Sequence, residues 1–328
     1  MWVPPLERGR LSDHLNYNYI LMKRRDFVFT AGLGSMSFAI HPHAFLPKGI
    51  STAGDLNRFL RTIYIVKEPS LDHIIIGNPE TKIRKVGTAW MPYFETLKQA
   101  VAQGINVMVV HESTFYEYWE PDPLTGGQLP PEKQKALEIF FAPYLDILEK
   151  KKKWIEDNEL VIIRCHDVLD IVKDFGIPFA LGQKLGFRNE DIIRSKNYYN
   201  VYRIEENSAL NIAGIIASGL KDFNQPGVAF YGDPERRVSS VGLGSGCICD
   251  PRDYYELEPD LVIAVDDTIR TWIHTTYAED SGHPLVVINH GTSEENGMRL
   301  LNLFLKKNFP EIEFIHMNQG CGYRWVSA

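Results

Sequence analysis

The chain has 328 residues, enough for one large α/β domain or two smaller ones. Apolar residues make up 44% of it and charged residues 23%, a composition typical of a folded globular protein. The formal net charge of −7 disfavours a nucleic-acid partner, because domains that bind nucleic acid carry a basic surface.

Residues 22–44 have the layout of an export signal. A basic start at 23–25 precedes an apolar stretch, rich in small residues, at 27–40. The string at 24–28, Arg-Arg-Asp-Phe-Val, resembles a twin-arginine signal. The apolar stretch is too short for a membrane-spanning helix, which needs about 20 residues. We therefore expect an exported, periplasmic or extracytoplasmic protein without stable membrane insertion. The alternative is a basic turn followed by a buried helix.

This signal divides the chain into three parts. Residues 1–21 form an upstream extension with no pattern of its own, and Met22 is a candidate start of translation. Residues 52–328 form the mature domain. Within it, residues 116–131 are aromatic and rich in turn residues, which favours a surface loop and a candidate lid. A long amphipathic helix is predicted to follow at 131–153.

The first half of the mature domain contains a predicted β-α-β unit. Residues 86–90 and 105–110 are apolar runs typical of buried strands, and a helix at 93–103 joins them. His111 and Glu112 follow the second strand directly.

Three later strands also end at polar residues. Residues 160–164 lead into a predicted helix that carries His166 and Asp170 on one face and ends at Gly176. Residues 261–265 lead to Asp266 and Asp267, and residues 285–289 to His290.

A capping box is predicted after the last of these strands. Thr292 and Glu295 have the spacing of such a box, which predicts a helix at 294–308. Glu294 would then lie in the first turn of this helix, and a bend of the chain would bring it beside His290.

Two weaker motifs have structural alternatives. Cys247 and Cys249 lack the spacing of a zinc site, so buried small residues are favoured over a redox or metal role. Gly242, Gly244 and Gly246 form a loose glycine loop that no helix follows, which disfavours a dinucleotide site.

Histidines and carboxylates thus follow several strands of one predicted, largely parallel sheet. Ligand sites in such sheets lie beyond the carboxyl ends of the strands. Each residue alone is more often structural, but together they indicate a metal site. Imidazole and carboxylate ligands without thiolates favour Zn, Fe, Mn or Ni.

Three motifs make the chain resemble the Nif-three-like dinuclear-metal family, also catalogued as GTP cyclohydrolase type-two homologues. The resemblance covers nearly the whole mature chain. The family's His-His-Pro motif corresponds to residues 111–113, its His-x-x-x-Asp motif to residues 166–170, and its Gly-His-x-x-Ser/Thr-Glu motif to residues 289–294.

The resemblance implies a set of metal ligands for two divalent ions: His111, Glu112, Asp170, His290 and Glu294. It implies that the aspartate and the glutamate bridge the ions. His166 and Asp267 are our candidates for proton transfer. Glu112 departs from the family pattern, which usually has a second histidine there, and we expect it to make the site more anionic.

The resemblance also implies a function and an architecture. We expect a dinuclear metal-dependent hydrolase that uses metal-bound hydroxide on a small molecule, with a nucleotide-like compound as a candidate. The alternative is a metal-binding or partner-binding protein without turnover. The implied fold has two α/β lobes with mixed, largely parallel sheets flanked by helices, and the implied assembly is a homo-oligomer, typically a hexamer.

Overall fold

The computed structural model describes residues 49–115, 135, 139 and 142–326, apart from residues 69, 174, 197 and 247–249. The predicted export signal, the residues before it, the predicted lid and the Cys247–Cys249 pair lie outside these residues. The first half of the predicted long helix lies largely outside them as well. No helix within the described ranges is long and apolar enough to cross a membrane.

The described residues form eleven strands and nine α-helices. In chain order the strands are β1 (Ile74–Ile76), β2 (Lys85–Ala89), β3 (Val107–Val110), β4 (Val161–Arg164), β5 (Ile192–Lys196), β6 (Tyr199–Ser208), β7 (Ala229–Tyr231), β8 (Arg237–Leu243), β9 (Leu261–Val265), β10 (Leu285–Ile288) and β11 (Glu313–His316). The helices are α1 (Ala53–Leu60), α2 (Phe94–Ala102), α3 (Leu145–Asp157), α4 (Asp167–Ile171), α5 (Ile177–Lys184), α6 (Ala209–Gly219), α7 (Pro251–Tyr255), α8 (Thr276–Ser281) and α9 (His290–Asn308).

The strands form two sheets. The first has the order β1-β4-β3-β2-β11, and all of its pairings are parallel except that between β1 and β4. The second has the order β5-β6-β8-β9-β10-β7, with β8, β9 and β10 parallel and the outer pairings antiparallel. Two α/β lobes with mixed sheets are therefore confirmed, with most parallel pairings in the first sheet. The single sheet expected for the strands that precede the histidines and carboxylates is wrong, because β3 and β4 lie in the first sheet and β9 and β10 in the second.

The central strands are apolar because helices cover both of their faces. Every residue of β3, β4 and β9 is buried. Such strands are continuous Val and Ile runs rather than alternating patterns, which is why they were predictable from the sequence.

Two helices connect the apolar cores of the lobes. Helix α9 begins where β10 of the second sheet ends, yet its Leu301 and Leu305 pack in the core of the first sheet. Helix α5 places Ile177 in that same core and Leu181 in the core of the second sheet.

The structure corrects two predicted helix boundaries. Helix α4 ends at Ile171, and Gly176 is the N-cap of α5 rather than the end of the preceding helix. Helix α9 begins at His290, so Thr292 lies inside it and the predicted capping box does not form. The N-cap is Asn289, whose side chain bonds Asp266 instead of the helix. The strands β5, β6 and β11 were not predicted.

The core of the first sheet predicts unequal effects for two leucines of α9. Leu301 is fully buried and Leu303 is 52% exposed. We expect Leu301→Ala to lower the free energy of unfolding by about 2–5 kcal/mol, because it leaves a cavity. The same change at Leu303 is expected to cost no more than about 0.5 kcal/mol. Denaturant unfolding of both variants checks this, and equal losses would contradict the placement of α9.

Candidate metal centre

Polar side chains from both sheets meet where the carboxyl ends of the parallel strands approach one another. β3 delivers His111 and Glu112, β4 is followed by His166, and β10 is followed by His290. Two groups have ligand atoms within 4.8 Å of one another, so each could hold a metal ion: His111, His166 and Asp170, and His111, Glu112 and Glu294. His111 is common to both groups.

His111 is held in the orientation that a metal ligand needs. Its Nδ1 lies 3.2 Å from the carbonyl oxygen of Cys165, which can only accept a hydrogen bond. The ring proton is therefore on Nδ1, and Nε2 presents its lone pair. That buried Nε2 has no hydrogen-bond partner among the described residues. It lies 3.6 Å from Asp170 Oδ1 and 3.5 Å from Glu294 Oε2, between two carboxylates.

His290 is oriented in a similar way, although its Nε2 has a hydrogen-bond partner. Its Nδ1 donates to Asp267 Oδ2 at 2.7 Å, and its Nε2 lies 2.9 Å from Glu294 Oε1 and 3.3 Å from Glu112 Oε1. Burial alone would lower the pKa of His290, but the charge of Glu294 and the bond to Asp267 raise it well above its usual value. The predicted bend between His290 and Glu294 is wrong, because both residues lie on α9, one turn apart. Asp267 thus orients His290, as carboxylates do for metal-binding histidines.

Glu112 lies between a histidine and an arginine. Its Oε1 faces His290, and its Oε2 lies 3.6 Å from Nη2 of Arg164, the last residue of β4. Burial alone would raise the pKa of Glu112, but the hydrogen bond from His290 and the charge of His166 hold it well below its usual range. Glu112 is therefore a carboxylate within the group that it shares with His111 and Glu294.

Asp170 and His166 lie on α4 and at its N-cap, respectively. The ring of His166 stacks on that of His111, with centroids 4.4 Å apart, and its Nδ1 lies 3.3 Å from Asp170 Oδ2. Burial raises the pKa of Asp170 well above its usual value, whereas the charge of His111 acts in the opposite direction. His166, which we predicted to transfer protons, is thus also placed where it could hold an ion.

The structure brings together all seven residues that the sequence singled out. The five predicted ligands converge around the Nε2 atoms of His111 and His290, with His166 and Asp267 beside them. Their individual roles stay predictions.

Asp72 was not predicted, and it fixes the helix that carries Asp170. It is 1% exposed and accepts hydrogen bonds from three successive backbone amides, those of residues 166, 167 and 168. In return, Asp167 accepts a bond from the amide of Leu71 at 2.8 Å. These partners are more than 90 residues apart in the chain, so no local pattern in the sequence could indicate the contact.

Gly246 of the glycine loop approaches the centre closely. Its φ is +71°, and a Cβ built on it would lie 2.9 Å from Glu294 Oε1. A side chain at this position would therefore meet the carboxylate. The loop contributes to the candidate metal centre, a role that its weak resemblance to a dinucleotide motif did not indicate.

Removal of Asp72 is expected to weaken metal binding as well as the fold. Asp72→Ala leaves buried amides without an acceptor, which costs about 1–3 kcal/mol of unfolding free energy. Loss of such an outer partner also lowers metal affinity by roughly 10- to 100-fold. Asp55 provides a matched control, because it accepts amide bonds at the start of α1. Asp55→Ala should leave metal affinity unchanged in a calorimetric titration. Equal metal affinities of the two variants would refute the role of Asp72.

Gly246→Ala is expected to disturb the centre more than an equally strained substitution elsewhere. Gly186 has a φ of +84° with no atom within 4 Å of a built Cβ. An alanine at either position costs about 1–2 kcal/mol for the left-handed backbone. Only Gly246→Ala should also lower metal affinity, because its methyl group displaces Glu294. Unfolding and metal titrations measure both effects, and unchanged metal affinity in Gly246→Ala would contradict the contact.

Known protein structures share this fold. A hypothetical protein of Staphylococcus aureus matches with a TM-score of 0.64 and 15% identity, over 84% of this chain and 99% of that one. Reduced HcgD of Methanocaldococcus jannaschii matches with a TM-score of 0.59 and 18% identity, over 81% of this chain and 98% of that one. A Bacillus cereus protein related to NIF3 matches with a TM-score of 0.62 and 12% identity, over 85% of this chain and 99% of that one.

Sequence comparison identifies the family. The chain is 41% identical over 244 residues to the GTP cyclohydrolase 1 type 2 homolog of Chlamydia pneumoniae, covering 72% of this chain and 84% of that protein. The sequence model of the family described as Duf34/NIF3 (NGG1p interacting factor 3) matches residues 142–320, more than half of the chain. The protein therefore belongs to the Duf34/NIF3 family.

Proposed function

We propose that this protein binds two divalent metal ions and hydrolyses a small molecule, with a nucleotide-like compound as a candidate substrate. One observation carries the proposal. His111 and His290 each have Nδ1 held by an outer acceptor and Nε2 turned toward buried carboxylates. This is the orientation in which histidines bind metals in proteins.

The residues present fit such a centre. The Nε2 atom of His111 is buried beside Asp170 and Glu294 without a hydrogen-bond partner among the described residues. His111, Glu112, Asp170, His290 and Glu294 would hold the ions. When bound, divalent ions supply Lewis acidity and lower the pKa of a bound water toward about 7. The ligand set of imidazoles and carboxylates suits Zn, Fe, Mn or Ni.

His166 is the side chain best placed to move a proton. Its Nδ1 faces Asp167 at 3.1 Å and Asp170 at 3.3 Å, so Nε2 is the nitrogen that would hold or deliver a proton. Its side chain is 15% exposed, compared with 0% for His111. Asp267 would keep His290 oriented throughout the reaction.

A second candidate function is metal binding or partner binding without turnover. The position of His166 supports this alternative, because His166 also belongs to a group that could hold an ion. A histidine that binds an ion would not be available for proton transfer. From the sequence we also propose export from the cytoplasm, a small-molecule substrate and a homo-oligomer, for which a hexamer is the candidate.

Metal analysis of the purified protein tests the proposal. We expect about two equivalents of divalent metal in the wild type and almost none in Asp170→Ala/Glu294→Ala, because the double variant removes both carboxylates that face His111. Asp222→Ala is a matched control. Asp222 lies in the loop after α6 and pairs with Lys184, the last residue of α5. Wild-type protein that binds no metal on reconstitution would refute the dinuclear centre.

A panel of phosphoesters, amides and cyclic nucleosides then separates the two functions. Turnover that His166→Gln abolishes while metal content is retained would support hydrolysis. Full metal loading of the wild type without turnover of any compound in the panel would favour the binding protein.

A further inference from the structure

An aromatic surface leads outward from the candidate metal centre. Its inner end is Trp90, whose indole Nε1 donates to Glu294 Oε2 at 2.6 Å and whose ring lies 5.4 Å from that of His290. Tyr93 packs edge-on against Trp90, with centroids 5.9 Å apart, and is 42% exposed. Trp90 itself is buried, so it connects Glu294 and His290 to the exposed ring of Tyr93.

The segment that follows β11 continues this surface. We call residues 317–326 the C-terminal strap. Gln319 bonds the backbone of Met91 through both its donor and its acceptor, at 2.7 and 2.8 Å. The amide of Cys321 donates to the carbonyl of Phe223 at 2.7 Å, in the other lobe. The strap is thus fixed to both lobes.

Gly320 and Gly322 make this placement possible. Gly320 has a φ of +64°, and a Cβ on it would lie 2.3 Å from the carbonyl oxygen of Phe223. The amide of Gly322 donates to Asn289 Oδ1 at 2.7 Å, next to His290, and a Cβ there would lie 3.4 Å from the Tyr93 hydroxyl. The strap therefore passes directly beside the hydroxyl group of Tyr93.

The strap carries two further aromatic rings at the surface. Tyr323 and Trp325 have centroids 5.6 Å apart and are 47% and 46% exposed. Burial, together with the charges of Cys321 and Asp266, raises the pKa of Tyr323 to about 12.

The border of this surface is acidic. Asp266 accepts bonds from the amide of His290 and the side chain of Asn289, and Asp267 is 56% exposed. Aromatic faces bind the faces of planar rings, and carboxylates accept hydrogen bonds from N–H groups at ring edges. This combination favours a neutral nitrogen heterocycle with N–H donors over an aromatic anion.

We propose that Tyr93, Tyr323 and Trp325, with the buried Trp90 behind Tyr93, form a binding wall for a planar, N–H-bearing heterocyclic ring of the substrate. The wall is continuous with the candidate metal centre, so its occupant is the molecule on which that centre acts. The proposal rests on the proposed function for that last step, but binding of the ring itself does not need turnover.

Guanosine, a planar heterocycle with N–H donors and no phosphate, is a suitable probe. We expect saturable binding by the wild type in calorimetry, and roughly 5- to 100-fold weaker binding by Tyr323→Ala/Trp325→Ala, the range for loss of ring stacking. Trp272→Ala/Tyr277→Ala is the matched control, because it removes a tyrosine and a tryptophan that are 48% and 89% exposed elsewhere. It should bind guanosine like the wild type, and ribose should bind to none of the proteins.

Two results would overturn the wall: no saturable guanosine binding by the wild type, or equal binding by the strap variant and the wild type. Metal content, measured in parallel, separates this failure from that of the proposed function. Guanosine binding that depends on the strap, in a protein that holds no metal, would support the wall and refute the hydrolase. If Tyr323→Ala/Trp325→Ala instead changed neither metal content nor turnover nor guanosine binding, the hydrolase would be supported and the wall refuted.

Discussion

The arrangement of the protein depends on two buried carboxylates and a third, partly buried one between two apolar sheets. Glu112, Asp170 and Glu294 need hydrogen-bonding or charged partners here, because removing an unpaired charge from water has a large free-energy cost. The partners come from different strands, and each is oriented in turn by a residue outside the cluster. The carboxyl ends of the strands must therefore stay in register across both lobes.

Helix α9 satisfies this requirement most directly. Its first turns carry His290 and Glu294 at the end of the second sheet, and its later turns pack in the core of the first. Glu295, also fully buried, accepts bonds from His316 and from the backbone of the C-terminal strap. Consecutive glutamates on one helix thus serve the candidate metal centre and the adjoining surface, so the two are mechanically coupled.

The sequence was informative where burial alone decides the structure. The Val and Ile runs of β3, β4 and β9, and the histidines that follow such runs, are visible as a local pattern. β6 changes from buried to exposed along its length, so it lacks a single periodicity. Asp72, Gly246 and the C-terminal strap act through contacts with residues far along the chain. A predicted capping box at Thr292 failed because the helix begins at His290, where Asp266, which follows β9, holds the N-cap residue Asn289.

The pairing of Glu112 with Arg164 has a consequence for how this centre can vary. A glutamate where the family usually has histidine was expected to add negative charge, but the guanidinium, 3% exposed and 3.6 Å away, supplies the opposite charge. Together the two side chains have the net charge of a neutral imidazole. Exchanging Glu112 for histidine alone would therefore remove the carboxylate that faces this guanidinium. The charge of the centre thus depends on both residues rather than on Glu112 alone.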